Sequence, residues 1–291
     1  MPWLQIKFDI HPDKVDEFSD ILMETGAVSV TLEDGADQPI FEPPPGEIQL
    51  WQQTRVVGLY TEDTSYEDVI MAVQTHLNPT PKHTHEILED KVWERVWMDE
   101  FHPICFGEKL WICPSWCEPP QDDAVNIKLD PGLAFGTGTH PTTSLCLKWL
   151  DANPPKGLDV IDYGCGSGIL AVAAAMLGAT QVWAIDHDQQ AVLATTDNAK
   201  SNQVDQLIHA GTAKATPEHK VDLLLANILA QPLIEFAPKF AEMVKENAYI
   251  VLSGILDHQA DSVIAAYQND FDLEPIAYEN EWVRITGKRK T

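Results

Sequence analysis

Val160-Ile161-Asp162-Tyr163-Gly164-Cys165-Gly166-Ser167-Gly168 reads as a strand that runs into a glycine turn, and Ile169-Leu170-Ala171-Val172-Ala173-Ala174-Ala175-Met176-Leu177 continues it as an apolar, alanine-rich helix. Glycines at every second position let a ligand approach the backbone and place helix N–H groups beside it. Strand, tight turn and helix in that order open a doubly wound α/β sheet, whose ligands sit at the carboxyl ends of its strands.

The spacing of the glycines narrows the ligand. A dinucleotide fingerprint reads G-x-G-x-x-G, with an acidic residue about 20 positions further on. Here the pattern is one residue shorter, G-x-G-x-G, which argues against a hydride-transferring dehydrogenase. A second strand, Gln181-Val182-Trp183-Ala184-Ile185, ends in Asp186, whose carboxylate is able to accept both hydroxyl hydrogens of a ribose. The combination suits an adenosine ligand without a pyrophosphate, of which S-adenosylmethionine is the common one. The plain alternative is a glycine turn with no ligand.

The chain has 291 residues, enough for two domains. No apolar run approaches the ~20 residues of a membrane span. The start, Met1-Pro2-Trp3-Leu4-Gln5-Ile6-Lys7-Phe8, reads as a strand and not as a secretory leader, so a cytoplasmic protein is expected. The five cysteines (Cys105, Cys113, Cys117, Cys146, Cys165) form no C-x-x-C, and Cys113 and Cys117 have no second ligand pair at a zinc-site spacing. Free thiols in a reducing compartment, and no metal, are expected. With 19 basic against 45 acidic residues the formal charge is −26. That argues against nucleic acid as a direct substrate. It is compatible with a basic protein partner, or with solubility alone.

Residues 1–90 alternate strand and helix signals. Trp3–Ile10, Ala27–Leu32, Arg55–Tyr60 and His83–Leu88 read as strands, and Asp13–Thr25 (Val15, Phe18, Ile21 and Leu22 on one face, closed by Gly26) and Tyr66–Leu77 as helices. The order βαββαβ predicts a small ferredoxin-like α+β domain. His83 and His85 read as surface residues. Residues 91–105, with Trp93 and Trp97 one helical turn apart, are expected to form an interdomain linker helix. Residues 106–291 form the second domain. Strands Val160–Tyr163, Gln181–Ile185, Asp222–Ala226 and Ala248–Leu252 alternate with helical patterns, and late strands near Leu273–Tyr278 and Trp282–Thr286 form an antiparallel edge.

Two more stretches fall at the ligand edge. Asp130 to Thr143, including Gly136-Thr137-Gly138-Thr139-His140-Pro141-Thr142-Thr143, is too rich in glycine and threonine for a core element. It reads as a loop able to cover a bound cofactor, leading into a helix Thr143–Leu150 capped by Thr142 or Thr143. His140 is open to three readings: a local hydrogen-bond partner, a cofactor contact or a catalytic proton acceptor. Asp222-Leu223-Leu224-Leu225-Ala226-Asn227 is a buried strand ending in an amide, and Asn227 is either the residue that orients an acceptor nitrogen or a turn-forming Asn.

The set Gly136–Thr143, Asp162–Gly168, Asp186-His187-Asp188, Ala226-Asn227-Ile228-Leu229, Ser253-Gly254-Ile255-Leu256 and Glu281–Gly287 resembles the PrmA family, bacterial enzymes that methylate ribosomal protein L-eleven (L11) of the large subunit. The resemblance covers nearly the whole chain. It implies a class I (Rossmann-like) S-adenosylmethionine-dependent methyltransferase domain behind a small substrate-recognising one. It also implies contacts to the cofactor from Thr143, Gly164, Asp186 and Asn227. The implied reaction methylates lysine ε-amines and the N-terminal α-amine of L11, free or on the ribosome, up to the trimethyl state. The candidate cofactor residues are thus Thr139, His140, Thr143, Asp162, Gly164, Gly166, Gly168, Asp186 and Asn227, with Asn227 and His140 as the catalytic candidates. A monomer is expected. Three other readings compete. A nucleic-acid amine methyltransferase usually carries Asn-Pro-Pro-Tyr where this chain has Asn227-Ile228-Leu229-Ala230. A small-molecule enzyme has no need of the separate first domain. A non-catalytic binding module has no need of the loop or of Asn227.

Overall fold

The computed structural model describes residues 2–36, 50–89, 102–121, 123–130 and 140–291. The chain divides into two units, Met1–Trp97 and Met98–Thr291.

In the first unit β1 (Trp3–Ile10), α1 (Val15–Glu24), β2 (Ser29–Asp34), β3 (Thr54–Thr61), α2 (Tyr66–His76) and β4 (His83–Leu88) build one four-stranded sheet in the order β2-β3-β1-β4. All neighbours are antiparallel, which is the ferredoxin-like arrangement. The strict alternation of β1 puts Leu4, Ile6, Phe8 and Ile10 into the core, where they meet Val15, Phe18, Ile21 and Leu22 of α1. Burying each such large apolar side chain contributes roughly 1.5–3 kcal/mol. β2 begins two residues later than the apolar pattern suggests. Ala27 is spent on ending α1, its N–H bonding Leu22 O at 3.1 Å after Gly26 turns left-handed (φ 95°). His83 is half-buried between Phe8 and Tyr66, whereas His85 is exposed and stacks on Tyr66 at 4.0 Å.

The second unit opens with a small sheet, β5 (Ile104–Phe106), β6 (Leu110–Cys113) and β7 (Val125–Lys128), in that order. Of the expected linker helix, residues 91–101 lie outside the described ones, and Ile104 and Cys105 belong to β5. After α3 (Pro141–Ala152) come β8 (Asp159–Tyr163), α4 (Ile169–Met176), β9 (Gln181–Ile185), α5 (Gln189–Ser201), β10 (Ile208–Gly211), β11 (Val221–Asn227), α6 (Ala230–Met243), β12 (Val244–Leu256), α7 (Ala260–Tyr267), β13 (Phe271–Leu273), β14 (Ala277–Glu279) and β15 (Trp282–Arg289). The large sheet runs β10-β9-β8-β11-β12-β15-β13, with β14 also paired to β15. Its β8 to β12 strands are parallel, and β15 is antiparallel to β12, β13 and β14.

The strands of the parallel part are apolar on both faces because helices cover both. Val160, Leu223, Leu225 and Val251 share a core with α3, α4, α5 and the small sheet. Ile161, Leu224, Ala226, Ile250 and Leu252 share the other core with α6 and α7. Two features depart from the sequence pattern. β10 carries one large apolar residue, Ile208, and pairs only with β9, so its sequence holds no strand signal. β12 continues beyond Leu252 to Leu256, with its register against β15 shifting between Leu252 and Ile255. Among the described residues no helix is long and apolar enough to cross a membrane.

Strand order reverses between β8 and β11, so their carboxyl ends flank a crevice. That is the usual ligand position in such sheets.

Candidate functional site

The glycine turn leaves β8 at this crevice. Gly164, Gly166 and Gly168 all have positive φ (80°, 54°, 76°). At Gly164 two constraints coincide: the left-handed backbone disfavours any side chain, and a Cβ there would overlap Ile228 Cγ2. The turn is laced to its surroundings. Gly164 N and Cys165 N donate to Ile185 O (2.7 and 3.1 Å), and Gly166 N donates to Asp186 Oδ2 (3.0 Å). Beneath the turn, Asp162 Oδ2 accepts from Ala171 N (3.0 Å) and so ties the strand to the first turn of α4. Asp162 is 1% exposed. Its burial pushes the carboxyl up to about 7, against the Ala171 hydrogen bond and helped by the nearby charge of Asp186. It therefore braces the turn from below, with its carboxylate directed at a helix amide.

Asp186 closes β9. Oδ1 accepts from Asp188 N (3.0 Å) and lies 3.2 Å from His187 Nδ1. A carboxylate offers about four lone-pair sites, so this one retains acceptor capacity beyond its backbone contacts. Asp188 in turn caps α5, accepting from Gln190 N at 2.9 Å. The turn and Asp186 together fit an adenosine cofactor: a backbone cradle that a Cβ would fill, and a carboxylate at the neighbouring strand end.

On the other flank of the crevice, Asn227 ends β11 and donates from Nδ2 to Thr143 Oγ1 at 3.2 Å. The fold thus joins two residues 84 positions apart. Ile228 follows, its side chain against Gly164 and its backbone against Gly254 of β12, where an added Cβ would overlap the Ile228 carbonyl.

α3 starts at Pro141, two residues before its expected start, and its cap is His140, not Thr142 or Thr143. His140 Nδ1 accepts from Thr142 N (3.4 Å) and lies 2.8 Å from Thr142 Oγ1. A preceding His in extended conformation followed by proline at the first helical position starts the helix, leaving both threonines inside it. The His140 ring lies edge-on to Trp282, centroids 4.8 Å apart. Desolvation pushes the imidazole below its usual range, and Glu281 opposes that shift.

Thr143, Asp162, Gly164, Gly166, Gly168, Asp186 and Asn227 therefore all gather at the carboxyl edge of the sheet, with His140 capping the helix that carries Thr143. Thr139 and the Gly136–Gly138 stretch lie outside the described residues. Sequence reasoning missed the braces on the far side of the turn. Thr195 Oγ1 donates to Gly166 O (3.1 Å) and Asn198 Nδ2 to Ser167 O (2.8 Å). Their signal was two polar residues three apart on one face of α5, beside the buried Ala191, Val192 and Ala199. Among the described residues no group of three His, Cys, Asp or Glu side chains is placed to hold a metal ion.

The chain is similar in sequence to known proteins along its whole length. A family model described as ribosomal protein L11 methyltransferase (PrmA) matches residues 2–290. The ribosomal protein L11 methyltransferases of Citrobacter koseri and Salmonella heidelberg are each 52% identical over 293 residues, covering 100% of both chains. The crystal structure of a ribosomal protein L11 methylase from Lactobacillus delbrueckii subsp. bulgaricus superposes with a TM-score of 0.60 at 34% identity, covering 66% of this chain and 100% of that one.

Proposed function

The chain belongs to the ribosomal protein L11 methyltransferase (PrmA) family, and from that premise we propose that it binds S-adenosylmethionine in the crevice and methylates amines of ribosomal protein L11. Its second unit has the class I methyltransferase fold. The observation that carries the reading is the Asn227–Thr143 hydrogen bond beside the glycine turn. It fixes a side-chain amide at the strand end next to the cofactor cradle, where an acceptor would meet a methyl donor.

When bound, S-adenosylmethionine supplies an electrophilic methyl group on a sulfonium. The chain's own residues do the rest. Gly164 to Gly168 and Asp186 hold the adenosine portion, and Thr143 lines the opposite wall. Asn227 commits one amide hydrogen to Thr143, and its Oδ1 serves as the acceptor for an amine hydrogen. That contact aims the nitrogen lone pair along the transfer line, and such alignment is where much of the rate originates. The amine has to be neutral. With an ordinary lysine pKa of ~10.4, removing the proton at pH 7 costs roughly 4–5 kcal/mol, an expense lowered by desolvating the ammonium in the crevice. His140 is engaged as a helix cap and is assigned no proton transfer.

The acceptors we propose are lysine ε-amines and the N-terminal α-amine, carried to the trimethyl state, with the ferredoxin-like unit recognising the substrate. The protein acts as a cytoplasmic monomer on L11, free or ribosome-bound. Incubation with S-adenosylmethionine and unmodified L11, followed by intact and peptide mass spectrometry, tests this. Methyl mass gain on L11 lysines and its N-terminus is expected. Gain on ribosomal RNA or a metabolite instead would overturn the substrate.

A further inference from the structure

The late hairpin formed by β14 and β15 grips α3 along one side. Glu279 Oε2 accepts from Ser144 Oγ (2.9 Å) and from Lys148 Nζ (2.7 Å). Arg284 Nη1 donates to Leu145 O (2.9 Å), and its Nε to Thr286 Oγ1 (3.2 Å). Trp282 meets the ring of His140. Residues 140, 144, 145 and 148 recur at helical spacing, so these contacts fix both the rotation and the axial setting of the helix.

Thr143 sits in the middle of that grip and is buried. Its bond to Asn227 is 3.2 Å, at the long end of the normal range. Asn227 is anchored independently, by the pairing of β11 with β12 and by Ile228 wedged against Gly164 and Gly254. Thr143 and Asn227 are thus carried by different elements, and the setting of α3 on β11, β12 and the hairpin decides their separation. A Lys–Glu pair at the surface contributes little alone. Here the same carboxylate oxygen also takes the hydrogen of Ser144, a hydroxyl with 4% of its residue surface exposed. Glu279 is therefore one of the contacts, with Arg284 and Trp282, that join the hairpin to the turn of α3 carrying Thr143, and the one made by a carboxylate to two side chains of the helix.

We propose that Glu279 is a positioning residue for methyl transfer: through Ser144 and Lys148 it sets α3 so that Thr143 stays in register with Asn227. This rests on the methyltransferase reading given above, with Asn227 orienting the acceptor. A different role for the same side chain, attraction of a cationic acceptor by its charge, makes different predictions.

The test compares wild type, E279A and E279Q, each alone and combined with N227A. Glutamine keeps an oxygen for Ser144 and Lys148 and drops the charge. E279A is expected to lower kcat about tenfold at saturating substrates, with cofactor Kd unchanged. E279Q is expected to restore most of it. In the N227A background E279A is expected to add nothing, because both changes break one unit. Additive losses in the double variant overturn the proposal. So does an E279Q as impaired as E279A through a raised, salt-sensitive KM for the protein, the mark of charge attraction. Amide hydrogen exchange over Pro141–Ala152 supplies a readout independent of activity: faster in E279A, near wild type in E279Q. Unchanged exchange in E279A overturns the proposal. A wild-type protein that leaves L11 unmodified sinks the substrate reading alone, and the exchange comparison still decides whether Glu279 sets α3.

Discussion

Asn227 and Asp162 are both polar residues at strand ends, and their surroundings give them opposite work. Asn227 is half-exposed to the crevice with one amide hydrogen committed to Thr143. Truncation to alanine is expected to lower turnover at least about tenfold, more than it weakens cofactor binding. Equal turnover with only weaker cofactor binding would remove its acceptor role. Asp162 is sealed under the glycine turn, where burial lifts its carboxyl from the ordinary 3.8 to about 7. Between those values the folded state keeps a proton that the unfolded chain has lost. Stability from this group is therefore complete below the lower value and drains away as pH rises towards 7, by about 1.4 kcal/mol per pH unit. Asp162→Asn keeps an acceptor for Ala171 N and carries no charge. Its stability relative to wild type, measured by urea unfolding, is expected to improve steadily from pH 5 to 7 and level off above. A constant difference across that range would show that Asp162 is not strained by its burial.

At the scale of elements, β11, Ile228 and β12 meet in a tight corner beside the glycine turn. Gly254 has φ 82° and no room for a side chain against the Ile228 carbonyl. Gly254→Ala is expected to cost more than about 2 kcal/mol, combining left-handed strain with displacement of the corner. The urea midpoint and turnover fall together, and a wild-type midpoint would mean the bulge relaxes freely. This corner also marks where sequence stops being informative. The motif strands were legible because apolar runs between turn signals define a buried parallel strand: four or five consecutive residues in β9, β11 and β12, and Val160-Ile161 ahead of the glycine turn in β8. Glycine spacing and Asp186 likewise pointed to one ligand class. The register shift in β12 was invisible, since Ser253-Gly254 resembles an ordinary strand end. So was the Glu279–Ser144 contact, which depends on an antiparallel hairpin returning 135 residues later. The cap of α3 was misassigned for a local reason: threonine is a common cap, histidine is not, and only the Pro141 that follows betrays the true start.

For the molecule as a whole, the first unit has its own sheet and its own fully buried residues, among them Ile6, Phe8, Phe18, Leu22 and Tyr60. It contributes none of the residues gathered at the crevice. Removing residues 1–97 is expected to leave cofactor binding to the second unit intact while abolishing modification of L11, as measured by calorimetry and mass spectrometry. Retained L11 modification at the full-length rate would take the recognition role away from this unit. A charge of −26 favours encounter with a basic partner over approach to nucleic acid.

The antiparallel β15 has one more effect, on the order in which the protein becomes competent. Every parallel strand of the large sheet precedes residue 257, and the glycine turn and Asp186 come earlier still. The hairpin at 277–289 is the last part of that sheet to emerge during synthesis. A chain that stops before residue 277 lacks the anchorage of α3 and also loses Val283 and Ile285, which are fully buried in the core shared with Ile161, Leu224 and Ile250. Truncation there is therefore expected to lower the urea midpoint together with turnover, and not turnover alone.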